Sequence, residues 1–183
     1  MGRNKIVTED KILDAAEKVI AKVGPIGLTL NAVALEAQIG KATVVYDFKN
    51  KHGLITALVQ RAIKNDNNFN NDFIDKIKNE KNSVILGRID AAQSPFPESF
   101  KDVALNLCTA LAQDESLRKM IQQNQNETIT TVLNTASNHK KARLAYLALE
   151  GLKLLESLDY YHWPETERSE IINDIRSLVD DES

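Results

Sequence analysis

Apolar residues recur with helical spacing along most of this 183-residue chain. From Ile12 to Val23 the apolar positions fall at i, i+1, i+4, i+7, i+8 and i+11, which is the stripe of an amphipathic helix. Thr8 is placed to cap this helix, and Gly24-Pro25 is placed to end it. No stretch has the sustained alternation that is typical of a β-strand. The pattern predicts an all-α protein.

Three further helices are predicted to begin in the first third of the chain. Thr29 is placed to cap a short helix, and Lys41 to about Asp47 forms the next one, with Gly40 at its N-cap. Asn50 caps a fourth helix, whose apolar stripe runs through Leu54, Leu58, Ala62, Phe69, Phe73 and Ile77. Because residues 66–73 are rich in Asn and Asp, which are poor helix formers, this segment is predicted to be frayed or bent.

Beyond the proline-containing break QSPFPES at 93–99, helices are predicted at about 98–113, 116–135, 140–158 and from Pro164 to about 180. The helix near 144–158 is apolar nearly all round, so it must be covered on most sides. Two surfaces can cover it: the rest of its own domain and a second copy of the chain. The residues predicted for a homodimer interface are Leu144, Leu152, Leu155, Ile172, Ile175 and Val179.

Composition narrows the class of protein. Hydrophobic residues make up 43% and charged residues 27% of the chain, which is typical of a globular protein with a core. No run approaches the roughly 18 apolar residues of a membrane span, and no apolar segment follows the N-terminal charges as in a signal peptide. Cys108 is the only cysteine, which excludes an intrachain disulfide and a cysteine-clustered zinc site. We expect a cytoplasmic protein with no membrane partner.

The charge is unevenly distributed, although the net charge is only −3. Residues 1–52 carry eight Lys/Arg against six Asp/Glu, whereas the remaining 131 residues carry fifteen against twenty. This small asymmetry favours an N-terminal module that tolerates a polyanion, attached to a body that does not.

Residues 29–54 have the pattern of a helix-turn-helix, in which two short helices joined by a tight turn follow a longer amphipathic helix. The second short helix of such a motif lies in the major groove of DNA. Its candidate contact residues are Lys41, Thr43 and Tyr46, which offer a cation, a hydroxyl with a methyl, and a phenol. Thr29 and Lys51 stand at two other helix starts and are predicted to hold the flanking DNA backbone.

Residues 10–54 resemble the DNA-binding domain of TetR-family transcriptional regulators. The segment ILDAAEKVIAKVG resembles the first helix of that family, and LTLNAVALEAQIGKATVVYDFKNKHGL resembles its helix-turn-helix. The resemblance implies a DNA-binding domain at 1–52 and a helical ligand-binding and dimerisation domain at 53–183, whose last two helices build a dimer. It further implies a ligand-responsive regulator, in most cases a repressor, that binds operator double-stranded DNA as a homodimer and responds to a small-molecule effector.

Three residues depart from the family pattern. Gln38 stands where the family usually has the glycine of the turn, and Gly40 stands where it has a capping serine, although glycine is an acceptable N-cap. Asp47 occupies the position of a histidine that often faces phosphate in relatives. A carboxylate would be repelled there, so Asp47 either turns away from the DNA or lowers the affinity.

Other candidate sites and functions are less specific. Aromatic and sulfur-containing residues of the C-terminal region, which either line an effector pocket or belong to the ordinary core, include Phe100, Cys108, Met120 and Tyr146. The three histidines do not have the spacing of metal ligands, and no catalytic constellation, P-loop or dinucleotide-binding motif occurs. We therefore expect no bound metal, no cofactor and no enzymatic activity. The alternative function is a helical ligand-binding or protein-interaction module with weak or lost DNA binding, which Asp47, Gln38 and the small basic excess favour.

Overall fold

The computed structural model describes residues 8–94, 112 and 114–180, and this part of the chain is helical without a strand. Its eight helices are α1 (Glu9–Gly27), α2 (Leu30–Ala37), α3 (Lys41–Phe48), α4 (Lys51–Ile74), α5 (Ser83–Ala92), α6 (Glu115–Thr135), α7 (His139–Ser157) and α8 (Glu165–Ser177). The predicted all-α class is confirmed. The helix predicted at about 98–113 lies almost entirely outside the described residues.

The predicted boundaries of α1 need one adjustment. Thr8 stands at the N-cap, but its side chain makes no capping hydrogen bond. Gly24 has φ 68°, a conformation that glycine adopts without strain, and it interrupts the regular helix before the last residues assigned to α1. The Leu28 N–H then donates to the Gly24 carbonyl at 3.2 Å. The Gly24-Pro25 step therefore ends the regular part of α1, as the sequence predicts.

Two features of α4 and α5 differ from the sequence pattern. α4 continues through its Asn-rich segment to Ile74, so the predicted fraying is not seen, and Ile77 lies beyond its end. One reason is that Asn70 is buried and its side-chain amide donates to the Asp66 carbonyl one turn back, at 2.6 Å. α5 has no counterpart among the predicted helices. Gly87 of α5 lies so close to the backbone of Ile74 that a Cβ atom would come within 2.7 Å of the Ile74 Cα.

The described residues form two compact units that divide inside α4. The first unit comprises residues up to Ala62 together with 114–118, and the second comprises residues 63–94 and 119–180. In the first unit, α1, α2, α3 and the first half of α4 enclose a core that includes Ile12, Ile20, Leu28, Val33, Val44, Leu54 and Leu58. The predicted functional boundary after residue 52 stays a prediction, whereas the compact units divide about three helical turns later.

The core of the second unit is formed by α5, α6, α7 and α8. Its buried residues are Val84, Ile85, Ile89, Ala92, Val132, Ala142, Ala145, Tyr146, Leu149, Leu152, Ile172, Ile175 and Val179. A buried polar residue, Asn82, closes one end of this core. Its side-chain amide donates to the Val179 carbonyl at 2.9 Å, and its side-chain oxygen accepts from the Ser137 N–H at 2.9 Å. Asn82 therefore joins the start of α5 to the α6–α7 turn and to the end of the described chain.

Candidate DNA-binding surface

The turn between α2 and α3 sets the direction in which α3 begins. Gln38 has φ 57° and ψ 46°, the left-handed conformation that favours glycine. The Ile39 N–H donates to the Ala34 carbonyl at 3.0 Å, which closes the turn. Gly40 stands at the N-cap of α3, where its carbonyl accepts from the Thr43 N–H at 3.0 Å. A glutamine therefore occupies the position of this turn at which glycine is usual, and its backbone conformation is strained.

Replacing Gln38 by glycine should raise the free energy of unfolding of the first unit by roughly 0.5–1 kcal/mol, because relief of the left-handed strain outweighs the added freedom of the unfolded chain. Chemical denaturation measures this change. The control is Gln60→Gly, an exposed glutamine inside α4, which should instead lose about 1 kcal/mol of stability. If Gln38→Gly destabilised the protein as much as the control does, the turn would not have the left-handed conformation.

α3 has one buried side and one exposed side. Val44 and Phe48 are buried in the core of the first unit. The exposed side chains are Lys41, Ala42, Thr43, Val45, Tyr46 and Asp47. Tyr46 is 77% exposed, and Lys49 folds over it: the Lys49 Nζ donates to the Tyr46 carbonyl at 2.6 Å and lies 5.0 Å from the ring centroid. The three residues predicted to contact DNA from this helix are therefore all open to solvent on one short helix, and Lys49 adds a cation beside them.

The two supporting residues secure neighbouring helix ends. The Thr29 hydroxyl oxygen accepts from the Ala32 N–H at 3.1 Å, so Thr29 caps α2 as its position predicts. Lys51 begins α4, and its Nζ donates to the Ile26 carbonyl at 3.0 Å, which ties α4 to the last residues assigned to α1. Their contact with a DNA backbone stays a prediction.

An ion-pair cluster that the sequence analysis missed braces α4 against α1. Arg61 of α4 pairs with Asp14 at 2.7 Å and with Glu17 at 2.7 Å, and it also donates to the Asp10 carbonyl at 3.2 Å. The guanidinium is largely buried, so it needs these partners. The only signal in the sequence is an arginine three residues after Leu58 of α4, together with two acidic residues one turn apart on α1.

A second connection within the first unit joins the start of α4 to the start of α6. The His52 Nδ1 lies 2.9 Å from a carboxylate oxygen of Asp114. Asp114 also caps α6, because its carboxylate accepts from the Ser116 hydroxyl at 2.6 Å and from the Leu117 N–H at 3.2 Å. The Ser116 hydroxyl bond, the Leu117 N–H bond and the nearby His52 lower the pKa of Asp114 below its ordinary value. The carboxylate is thus held in its charged form beside the helix that follows α3.

In the second unit, three helices direct polar side chains toward one another. Arg88 of α5 is only 6% exposed, and its guanidinium lies 3.1 Å from Glu150 of α7 and 3.8 Å from Asp66 of α4. Lys153 lies 3.4 Å from Glu150 and 3.6 Å from Asp66. The Arg88 Nε is buried and has no hydrogen-bond partner among the described residues. The charges of two cations and two carboxylates therefore balance in this cluster, and one N–H group, the Arg88 Nε, has no acceptor among the described residues.

The predicted effector-pocket residues lie partly in this region. Tyr146 of α7 is buried, and its hydroxyl donates to the Gln125 side chain of α6. Burial, followed by the charge of Glu150, raises the pKa of Tyr146 to about 12, so its hydroxyl stays protonated. Met120 is half-buried on α6. Phe100 and Cys108 lie outside the described residues, so their part in a pocket stays a prediction.

α7 has a second apolar side, which is about half exposed. Its inner side contributes Ala142, Ala145, Tyr146, Leu149 and Leu152 to the core. Its outer side carries Leu144, Leu147, Leu154 and Leu155, which are 49%, 58%, 53% and 38% exposed. We call these four leucines, together with Gly151 between them, the outer stripe. A Cβ atom at Gly151 would meet nothing within 4 Å, so the middle of the outer stripe is open.

The exposure of the outer stripe changes which apolar residues of α7 can contact a second copy of the chain. Of the six residues predicted for the interface, Leu144 and Leu155 are exposed and belong to the outer stripe. The other four, Leu152, Ile172, Ile175 and Val179, are buried in the core of their own unit and are at most 4% exposed. The interface stays a prediction, for which the exposed Leu147 and Leu154 are further candidates.

Two other kinds of site, a metal centre and a membrane span, are not found among the described residues. No group of three or more His, Cys, Asp or Glu residues in this part of the chain is arranged to hold a metal ion. None of the described helices is long and apolar enough to cross a membrane.

Two family profiles match the chain, one in each half. The profile described as bacterial regulatory proteins, tetR family, matches residues 12–58, which include α2, α3 and the start of α4. The profile described as a tetracyclin repressor-like C-terminal domain matches residues 88–180, which is half of the chain.

Individual proteins that are similar to this chain in sequence or in fold are also described as regulators or as ligand-binding proteins. The uncharacterized HTH-type transcriptional regulator YvkB of Bacillus subtilis (strain 168) is 38% identical over 58 residues, a match that spans 32% of this chain and 31% of that protein. A member of the TetR family from Streptomyces coelicolor A3 has a similar fold, with a TM-score of 0.67, 19% identity and coverage of 91% and 96% of the two chains. The multidrug binding protein EbrR, solved with imidazole, has a TM-score of 0.69 at 17% identity over 100% and 99% of the chains. It has also been solved with malachite green and with ethidium.

Proposed function

This chain belongs to the TetR family of transcriptional regulators, and from that premise we propose that it is a repressor that binds operator DNA as a homodimer. The observation that carries the proposal is the exposed side of α3, where Lys41, Thr43 and Tyr46 face solvent on the second helix of a helix-turn-helix. Such a helix enters the major groove, and phosphate contacts from neighbouring helix starts fix its register. Thr29 and Lys51 are suited to those phosphate contacts.

The outer stripe supports the homodimer. Contiguous exposed apolar surface is uncommon on monomeric proteins and usually marks an interface. The stripe is self-complementary in a two-fold arrangement, since each copy would cover the leucines of the other. Gly151 lies in its middle, where the absence of a side chain permits a close approach of two helices. A dimer of this kind also brings two copies of α3 to DNA, at a spacing of about 34 Å or a multiple of it along the duplex.

We propose that the effector binds within the second unit, beside the buried polar cluster. Asp66 lies at 3.6 and 3.8 Å from its two cations, too far for a hydrogen bond, so its carboxylate can accept one from a ligand. The Arg88 Nε supplies a donor. The ligands of EbrR are nitrogen heterocycles and dyes, which makes an organic cation that pairs with Asp66 the first class to test. Native mass spectrometry of the purified protein would detect such a molecule, and Asp66→Asn should reduce its occupancy.

Electrophoretic mobility shift with the DNA upstream of its own gene tests DNA binding. Lys51→Ala should weaken binding to all sequences about equally and should lower the slope of log affinity against log salt by roughly 1, because one phosphate contact is lost. The matched control is Lys64→Ala, an exposed lysine in the half of α4 that belongs to the second unit, which should leave the slope unchanged.

The placement of α3 in the groove is tested by the double variant Lys41→Ala/Tyr46→Ala. Both side chains are exposed, so the fold should survive while operator affinity falls by at least tenfold, as expected when two contacts of 1 kcal/mol or more are lost. Unchanged operator affinity would mean that another surface of the first unit contacts DNA.

A second candidate function, a helical binding module with weak or lost DNA affinity, is favoured by one observation. Asp47 places a carboxylate on the exposed side of α3, with no hydrogen bond or ion pair to any described residue. The two functions differ at low salt, where electrostatic attraction to phosphate is strongest. A regulator retains DNA there with a steep salt dependence, whereas a module that has lost DNA binding does not.

A further inference from the structure

The exposed side of α3 has an unusual chemical composition for a helix that reads DNA. The side chains that usually recognise purines through paired hydrogen bonds are Arg or Lys for guanine and Asn or Gln for adenine. α3, with the sequence KATVVYDF, contains no Arg, Asn or Gln, and its only lysine is its first residue. Most of its exposed side is instead formed by methyl groups, an aromatic ring and a carboxylate.

Thr43 and Asp47 lie one helical turn apart and therefore point to the same side of α3. Both are exposed. The Thr43 methyl group, like that of Ala42 beside it, is suited to contact the C5-methyl group of thymine. The Asp47 carboxylate only accepts hydrogen bonds. Of the two pyrimidines, only cytosine offers a donor in the major groove, which is its N4 amine.

Structural roles do not account for Asp47 within the described part of the chain. Its carboxylate neither caps a helix nor pairs with a cation there, and Lys49, the nearest cation along the chain, donates instead to the Tyr46 carbonyl. A charge that is exposed and uncompensated on the DNA-facing side reduces non-specific attraction to phosphate. A donor on a base offsets that cost only at the correct sequence, so such a charge adds discrimination.

We propose that α3 reads pyrimidines: the methyl groups of Ala42 and Thr43 contact thymine, and Asp47 accepts a hydrogen bond from the N4 amine of cytosine. This inference rests on the proposed function, since it names the base class that the same surface recognises. Asp47 is then a specificity-determining residue, and its effect depends on the sequence of the duplex.

Selection from a pool of random duplexes at low salt, followed by titration of the best duplex, tests the inference. We expect an enriched half-site with adjacent thymine and cytosine on one strand. Replacing a contacted thymine by uracil, which lacks only the methyl group, should weaken binding roughly fourfold, the equivalent of one buried methyl group. Uracil at a position outside the half-site serves as the control. In Thr43→Ser, which keeps the hydroxyl and loses the methyl group, the response to one of these uracils should disappear.

Asp47→Asn supplies the second arm. An amide reads adenine, so this variant should change the preferred base at one position from cytosine to adenine and leave the other positions unaltered. A uniform gain of affinity for every duplex would show that Asp47 only repels phosphate, and this outcome overturns the inference. Insensitivity to uracil throughout the half-site, or an enriched half-site without a C·G base pair, also overturns it. Enrichment of no sequence at all would instead refute the proposed function, on which the inference depends.

Discussion

Leu147→Glu should convert the protein from a dimer to a folded monomer and lower its affinity for operator DNA by roughly a hundredfold or more. Leu147 is 58% exposed in the single chain, so the glutamate is compatible with the fold of the monomer. In a two-fold dimer the substitution buries two carboxylates without partners, each at a cost of about 3–5 kcal/mol. Sedimentation velocity at micromolar concentration measures the assembly, and circular dichroism checks that the helices remain.

The matched control for oligomeric state is Leu35→Glu, which makes the same change at a leucine that is 72% exposed on α2. This variant should remain a dimer. Leu149→Glu provides the opposite control, because Leu149 is fully buried in the core and its substitution should unfold the second unit. A native protein that sediments as a stable monomer, or a Leu147→Glu variant that remains a dimer, would contradict the proposed interface.

Asn82→Ala should lower the free energy of unfolding of the second unit by about 3 kcal/mol or more. The substitution removes the hydrogen bonds to the Val179 carbonyl and from the Ser137 N–H, and a buried group that loses its partner, as the Val179 carbonyl does, costs about 1–3 kcal/mol. Asn82 also has φ 61°, a left-handed conformation that costs alanine roughly 1–2 kcal/mol. Urea denaturation followed by circular dichroism gives the change in stability.

Asn82→Gly separates the two contributions. Glycine adopts the left-handed conformation without strain, so this variant should lose only the side-chain hydrogen bonds and be more stable than Asn82→Ala by about 1 kcal/mol. If Asn82→Gly were as stable as the native protein, the hydrogen bonds to Ser137 and Val179 would contribute nothing. In that case the backbone conformation alone would explain the asparagine.

The helix-turn-helix was predictable because its information is local. Caps, a short apolar period and a turn occur within 26 residues at 29–54, and each residue there acts on neighbours a few positions away. Thr29 caps α2 and Gly40 precedes α3 as their types and positions predict. Even the departure at Gln38 was interpretable, since the turn it occupies requires the left-handed conformation regardless of the residue type.

α5 was not predicted because helical periodicity can be recognised in a sequence only when one side of the helix is polar. Eight of its ten residues, including Ser83, Gly87 and Arg88, are buried in the second unit. A helix that is covered all round shows no alternation between apolar and polar sides, and its short apolar run resembles other buried segments. Its polar residues are buried because of partners elsewhere in the chain, such as Glu150 for Arg88.

Which side of α7 faces its own core was also not readable from the sequence. The pattern correctly identified a helix that is apolar nearly all round, but Leu152 and Leu154 are the same residue type two positions apart. One is buried and the other is half exposed, and only packing against α5 and α8 distinguishes them. The brace at Arg61 and the link from Asn82 to Val179, 97 residues apart, have the same long-range origin.

The division of the chain inside α4 sets the smallest fragment in which the DNA-reading helix can be studied by itself. A polypeptide that stopped after residue 52 would lack Leu54 and Leu58, which are almost completely buried against α1 to α3, and would also lack Arg61. Extension to Ala62 restores all three, yet Leu117, which is 1% exposed, belongs to the same unit and would still be missing. A fragment that ends at Ala62 therefore lacks part of the core of the first unit, and a covalently joined copy of 114–118 would restore Leu117 to it.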